Sequence, residues 1–199
     1  MTLWTLSQRT ACGARPTTRW SRPASTCEAR TVTAAGAVRI CVIGIGNENR
    51  GDDDAGLLVA RRLKTRNMDS VAVHEQTGEA SAFLEAVAQA DAAILVDAMQ
   101  SGEKPGKVRR FAAGDRPLPA RQFPCSTHGM GVGEAVELAR ALGKLPAEVV
   151  VYGIEGGRFA PGDELSPEVA RAVEGTVRLV VREIQTLLSG SRGKGNRNA

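Results

Sequence analysis

The sequence predicts an α/β fold built on a largely parallel sheet, and three observations carry that prediction. Short apolar runs rich in β-branched residues alternate with segments of helical periodicity between residues 38 and 188. The first run, Val38 to Ile45, has the composition of a strand buried on both faces. That strand and a later one both lead into carboxylates, and open α/β sheets bind their ligands beyond the carboxyl ends of strands.

Taken in order, the first strand ends at Gly44 and Gly46, which permit a sharp turn. Asp52, Asp53 and Asp54 then precede Ala55, Leu57, Leu58, Val59 and Leu63, the spacing of an amphipathic helix with an acidic first turn, expected to reach about Arg66. Ser70 to Gln76 is the expected second strand. Glu79 to Ala90 is the second helix, with Phe83, Leu84 and Val87 on one face, and Ala92 to Asp97 is a short apolar strand. Gly106 to Ala112 is more polar and reads as an edge strand, with an antiparallel direction open to it. The loop Ala113 to Thr127 carries Pro117, Pro119 and Pro124, and loops of that length are usually functional or mobile. A helix is expected from Gly131 to Leu142 and a buried strand from Ala147 to Ile154. Ser166, Pro167 and Glu168 open the closing helix with an N-cap, a proline at the first helical position and an early acid. Val169, Val173, Val177, Val180, Val181 and Ile184 form its core face. Such repetition implies right-handed crossovers.

The net charge of +4 over 199 residues is unevenly spread. Residues 1–37 are rich in Arg and Thr and show neither strand nor helix periodicity. They are expected to be a disordered leader or an extension upstream of a natural start near Val38, with a transit peptide as the third reading. The folded domain is expected over 38–188 and a flexible tail over 189–199. Without leader and tail the charge is −3, which gives no basis for nucleic-acid binding. No apolar run approaches the roughly 18 residues of a membrane span. Cys12, Cys27, Cys41 and Cys125 form no Cys-x-x-Cys pair, which fits a reducing, cytoplasmic setting.

A glycine turn between strand and helix invites a nucleotide reading, but both templates fail. Gly46 and Gly51 have P-loop spacing, yet Asp52 and Asp53 stand where Lys and Ser or Thr belong and would repel a phosphate. Asn49 stands where the dinucleotide fingerprint needs its third glycine. A turn that presents carboxylates is suited to a cation or a proton. Asp97, at the end of another strand, can face the same crevice or merely cap the loop bearing Gly102, Pro105 and Gly106. His128 lies at a loop-to-helix junction. With the carboxylates it would complete a ligand set for zinc or nickel; alone it is a helix-start histidine. A Cys125–His128 nucleophile pair is a minor alternative, and His74 reads as an ordinary strand residue.

Four separated segments then agree with one family. They are Gly44-Ile-Gly-Asn47 with Asp52-Asp53 and Gly56; Val96-Asp97-Ala98; Ser126-Thr-His128-Gly; and Gly153-Ile-Glu155 followed by Phe159-Ala-Pro-Gly and Leu165-Ser-Pro-Glu-Val169. In order and spacing they resemble the hydrogenase maturation proteases, over about residues 39 to 188. The resemblance implies a three-layer sandwich: a mixed, mostly parallel five-stranded twisted sheet with helices on both faces. It also implies an endopeptidase that removes a carboxy-terminal extension from the large subunit of a nickel-iron hydrogenase once nickel is in place. By position Asp53, Asp97 and His128 would be the metal-binding residues. The nickel would be carried by the partner, the large-subunit precursor, with zinc or another divalent metal as the alternative. The sequence departs from the family pattern in having Asp54 beside Asp53, and Gly156 where the family often has proline. No Gly-x-Ser-x-Gly elbow, Ser-His-Asp arrangement or His-Glu-x-x-His helix is present. Two other classes stay open: a non-catalytic nickel or maturation chaperone of the same fold, and an α/β hydrolase with an unrelated substrate.

Overall fold

The computed structural model describes residues 38–114, 116–119, 123 and 130–194. Its elements run β1 (Ile40–Ile45), a 3-10 turn (Gly51–Asp54), α1 (Ala55–Lys64), β2 (Val71–Gln76), α2 (Ala80–Ala88), β3 (Ala92–Met99), β4 (Val108–Ala112), α3 (Val132–Ala141), β5 (Glu148–Glu155) and α4 (Pro167–Lys194). The five strands form one sheet in the order β2-β1-β3-β5-β4. The first four in that order are parallel, and β4 closes the edge antiparallel to β5.

Burial explains this order. Every residue of β1 and β3 is buried, which suits the two apolar runs to the middle of a sheet covered on both faces. The more polar runs became the edges β2 and β4. Side chains alternate between two cores. Ile40, Val42, Ile94, Val96, Tyr152 and Ile154 meet α1 and α4 on one face. Ile43, Leu95, Met99, Val149 and Val151 meet α2 and α3 on the other.

Two glycines let α1 lie directly on the sheet. A Cβ at Gly44 would collide with the Gly56 carbonyl, and one at Gly56 with the carbonyls of Ile45 and Val96. Gly51 is held at φ +57°, where side chains are strained. Ser166 caps α4 as expected, its Oγ accepting the Val169 N–H at 3.4 Å, with Pro167 as the first helical residue. One boundary differs from expectation. The helix continues through Ser189, whose Oγ donates to the Gln185 carbonyl, and on to Lys194, so the segment read as tail begins within α4.

The closing helix is tied to the sheet by Glu183. Its carboxylate accepts two hydrogen bonds from Arg110 and one from the buried Tyr152 hydroxyl, each at 2.8 Å. The Arg110 fork holds the Glu183 carboxyl below its ordinary range, with Tyr152 assisting against burial. A depressed folded-state pKa adds stability above the unfolded value that is lost as pH falls through the folded one. Glu183→Gln is therefore expected to lower stability at pH 7, and its deficit against wild type to shrink below about pH 4. Urea melts of both proteins across that range measure it.

Candidate functional site

The chain leaves β1 toward β2 on one side, through α1 on one face, and reaches β3 on the other side, through α2 on the opposite face. The crevice beyond the adjacent carboxyl ends of β1 and β3 is the switch point where open α/β sheets bind ligands. The 3-10 turn follows β1 there, and Asp97 is the sixth residue of β3, paired in register with Gly153.

The three consecutive aspartates have three different environments. Asp52 is fully buried. Its Oδ2 accepts the amides of Gly157 (2.8 Å) and Arg158 (3.0 Å), and its Oδ1 that of Ser166 (2.8 Å). Burial works against its charge, but these donors outweigh it and hold the carboxyl below its ordinary range. Asp53 is half-buried. Burial raises its carboxyl above the ordinary range, and the Arg50 guanidinium opposes the rise. Arg50 is itself fixed through Nε to the Phe159 carbonyl at 3.0 Å. Asp54 is raised by burial too, and faces a charged surface cluster in which Arg61 lies 3.7 Å from its Oδ1 and bonds Glu48 and Glu75.

Asp97 is 7% exposed. Its carboxyl is raised well above the ordinary range, first by burial and then by the negative charge of Asp53; the Ala98 amide pulls the other way. Of the three aspartates it is Asp53 whose charge acts on Asp97, which places two carboxylates within electrostatic reach at the switch point. Such a pair favours a proton or a cation between or beside it, and hard oxygen donors of this kind suit divalent metals.

His128 and Cys125 lie outside the described residues. Met130 is described, and its amide donates to the Gly78 carbonyl at 3.1 Å, just beyond the carboxyl end of β2. Among the described residues no group of three His, Cys, Asp or Glu side chains forms a metal cluster. His74 is a half-buried β2 residue in register with Ile43. Cys41 is buried in β1, and burial pushes its thiol up to about 12.

The sequence reading missed a third buried carboxylate, after Asp52 and Asp97. Glu155 is 1% exposed at the end of β5 and accepts the amides of Ser101 (2.8 Å), Gly102 (2.9 Å) and Glu103 (3.1 Å), and the Ser101 hydroxyl (2.8 Å). It thereby holds the loop that leaves β3 two residues after Asp97. Only the step from apolar strand to Glu-Gly-Gly marks it in the sequence. Gly156, where the resembled family often has proline, uses the N–H a proline would lack, donating to the Met99 carbonyl at 2.9 Å.

A family model described as hydrogenase maturation protease matches residues 58–183. The chain belongs to the hydrogenase maturation proteases. Asp97 and His128 fall inside the matched span and Asp53 just before it. The hydrogenase expression/formation protein HupD of Bradyrhizobium diazoefficiens is 25% identical over 147 residues, which are 68% of this chain and 77% of that one. Among solved structures, the Escherichia coli hydrogenase maturating endopeptidase HybD is 25% identical with a TM-score of 0.62, over 74% of this chain and 93% of that one. The Thermococcus kodakarensis NiFe hydrogenase maturation protease HycI is 25% identical with a TM-score of 0.59 over the same shares. The family is one of peptidases, and its α/β fold is the one described above.

Two outcomes follow from the site's surroundings. Glu155→Gln removes one charged acceptor from four donors and is expected to lower stability by about 1–3 kcal/mol, read from denaturant melts. Cys41 is expected to resist iodoacetamide at pH 8 in the folded protein and to react once urea unfolds it, read by mass spectrometry.

Proposed function

We propose that this protease removes a carboxy-terminal extension from the large-subunit precursor of a nickel-iron hydrogenase after nickel insertion, and that Asp53, Asp97 and His128 are the groups that engage the metal. The observation that carries this reading is the pair of crowded carboxylates, Asp53 and Asp97, at the switch point of a hydrogenase maturation protease. Among the described residues, Arg50 acts on Asp53 and the Ala98 amide offsets the burial of Asp97. A divalent cation supplied by the substrate would relieve the repulsion, so the precursor's nickel serves as a recognition key that places the scissile bond. Imidazole from His128 adds a borderline donor to two hard ones, a set that suits nickel or zinc. Bound metal supplies Lewis-acid polarisation of the scissile carbonyl or of a water. The two carboxylates would orient the substrate, and one of them, where not committed to the cation, would take the proton released as water adds to the scissile carbonyl and pass it to the departing amine as the C–N bond breaks. No helix among the described residues is long and apolar enough to cross a membrane. From the cysteine pattern of the sequence we infer separately that the enzyme meets its precursor in the reducing cytoplasm.

Mass spectrometry of the cognate large subunit, incubated with the protein with and without nickel loading, tests this directly. A nickel-dependent loss of a short carboxy-terminal peptide is the expected result. Binding without a mass change would replace the protease reading by that of a maturation chaperone. Asp97→Ala and His128→Ala are each expected to slow processing by about 100-fold or more with the fold intact by circular dichroism. Wild-type rates in either variant would remove that residue from the site. Asp97→Asn keeps the side chain's shape and removes a buried charge facing Asp53, so it is expected to lose processing while melting no lower than wild type.

A further inference from the structure

We propose that Asp52 is a positioning residue for cleavage: its buried carboxylate binds the 157–166 loop through three backbone amides and so fixes the 3-10 turn that presents Asp53 to Asp97. The inference rests on the functional reading of Asp53 and Asp97 above. Three observations support it independently of charge state.

First, the contacts are saturated and dry. Both Asp52 oxygens are used, on donors from Gly157, Arg158 and Ser166, and the side chain has no exposed surface. Its own amide returns a bond to the Arg158 carbonyl at 2.9 Å, so the residue is stitched to that loop from both backbone and side chain. Second, the attachment continues along the connection from β1. Arg50 Nε reaches the Phe159 carbonyl, and the Gly162 amide reaches the Asn49 carbonyl at 2.8 Å. A Cβ at Gly156 would lie 2.9 Å from the Asp52 Cβ, so the loop packs against the aspartate without slack. Third, Asp53 has weaker ties of its own. Its amide donates to the Arg50 carbonyl and its carbonyl accepts the Asn47 amide, both at 3.2 Å and both within the same connection. The side-chain direction of Asp53 is therefore set by the residue before it.

Ser166 is also the N-cap of α4. A single carboxylate thus joins the site turn to the start of the closing helix, more than one hundred residues away in sequence. An asparagine cannot replace it. Its amide offers one acceptor oxygen, and its NH2 would face an N–H, leaving at least one buried backbone donor unsatisfied. The turn is then expected to shift, and displacements near 1 Å at a catalytic group lower turnover by about 100-fold.

The test compares Asp52→Asn with Tyr152→Phe, which deletes a buried hydrogen bond to Glu183 of α4 and leaves every bond made by Asp52 in place. Both are assayed for kcat and KM on nickel-loaded precursor at temperatures where melting curves show them fully folded. The expected result is a kcat about 100-fold lower for Asp52→Asn with KM little changed, and wild-type kcat for Tyr152→Phe. A folded Asp52→Asn protein with wild-type kcat overturns the inference, as does equal loss in both variants. If Asp52→Asn does not fold, Arg158→Pro removes one of the three donors and takes its place. Wild-type protein that leaves the precursor uncut would defeat the functional reading instead. In that case amide exchange at Asn47 and Asp53 decides: faster exchange in Asp52→Asn upholds the positioning role, and unchanged protection overturns it.

Discussion

A parallel sheet covered on both faces has no place for an ionised side chain except beyond the ends of its strands, and this constraint shapes everything else in the molecule. β1 and β3 are buried along their whole lengths and lie side by side. Polar groups that follow them are forced toward the same small opening. Asp97 goes one step further, because it lies within β3 rather than after it and is almost wholly buried. Its carboxyl feels the charge of the half-buried Asp53 on the connection that follows β1. Helix α1 can come close enough to deliver that turn only because Gly44 and Gly56 leave its backbone in contact with the sheet.

Adjacent aspartates with one chemistry take three roles according to what surrounds them. Asp52 is enclosed by backbone amides and behaves as an internal anchor. Asp54 turns to a partly solvated cluster with Arg61 and Glu75. Asp53, among the described residues, has the Arg50 guanidinium acting on it, and it is the one whose charge acts on Asp97. Glu155 repeats the Asp52 device on a different loop, gathering four donors from the chain after β3. Asp52 and Glu155, whose oxygens are taken up by backbone donors, hold the surrounding loops, and Asp53 and Asp97, both raised by burial, lie at the switch point. Desolvation without compensation is a property expected of functional groups more than of structural ones.

The α/β class and all five strands were legible because apolar runs of strand length are dictated by burial, which is a local property of composition. The edge position of Val108–Ala112 followed from its polarity for the same reason. Asp53 and Asp97 were legible as strand-end carboxylates. What separates Asp53 from Asp52 and Asp54 was not, because it depends on amides donated by residues more than one hundred positions away. The resemblance had marked the segments around Glu155 and Ser166 without a role for either residue; the structure shows Glu155 and the Ser166 amide as parts of the scaffold. The end of α4 was misplaced because Ser189 and Gly190 weaken a helix on propensity alone, whereas the helix runs on to Lys194 with the Ser189 hydroxyl accommodated on the Gln185 carbonyl.

The same arrangement bears on how a protease of this kind would avoid cutting unfinished substrate. In the proposed reading, Asp53 and Asp97 without a cation repel each other and are partly dehydrated, so the crevice is at its least favourable when a precursor arrives empty. A precursor that carries a divalent ion brings the missing charge with it. The binding energy gained then depends on the ion and the polypeptide together, because neither the loose metal nor the bare peptide satisfies both the carboxylates and the surrounding loops. Such a site works only if the carboxylates cannot relax apart while they wait. The amide-bound Asp52 and Glu155 meet that requirement, because one fastens the turn after β1 and the other the loop after β3 with buried hydrogen bonds that do not involve the cation at all.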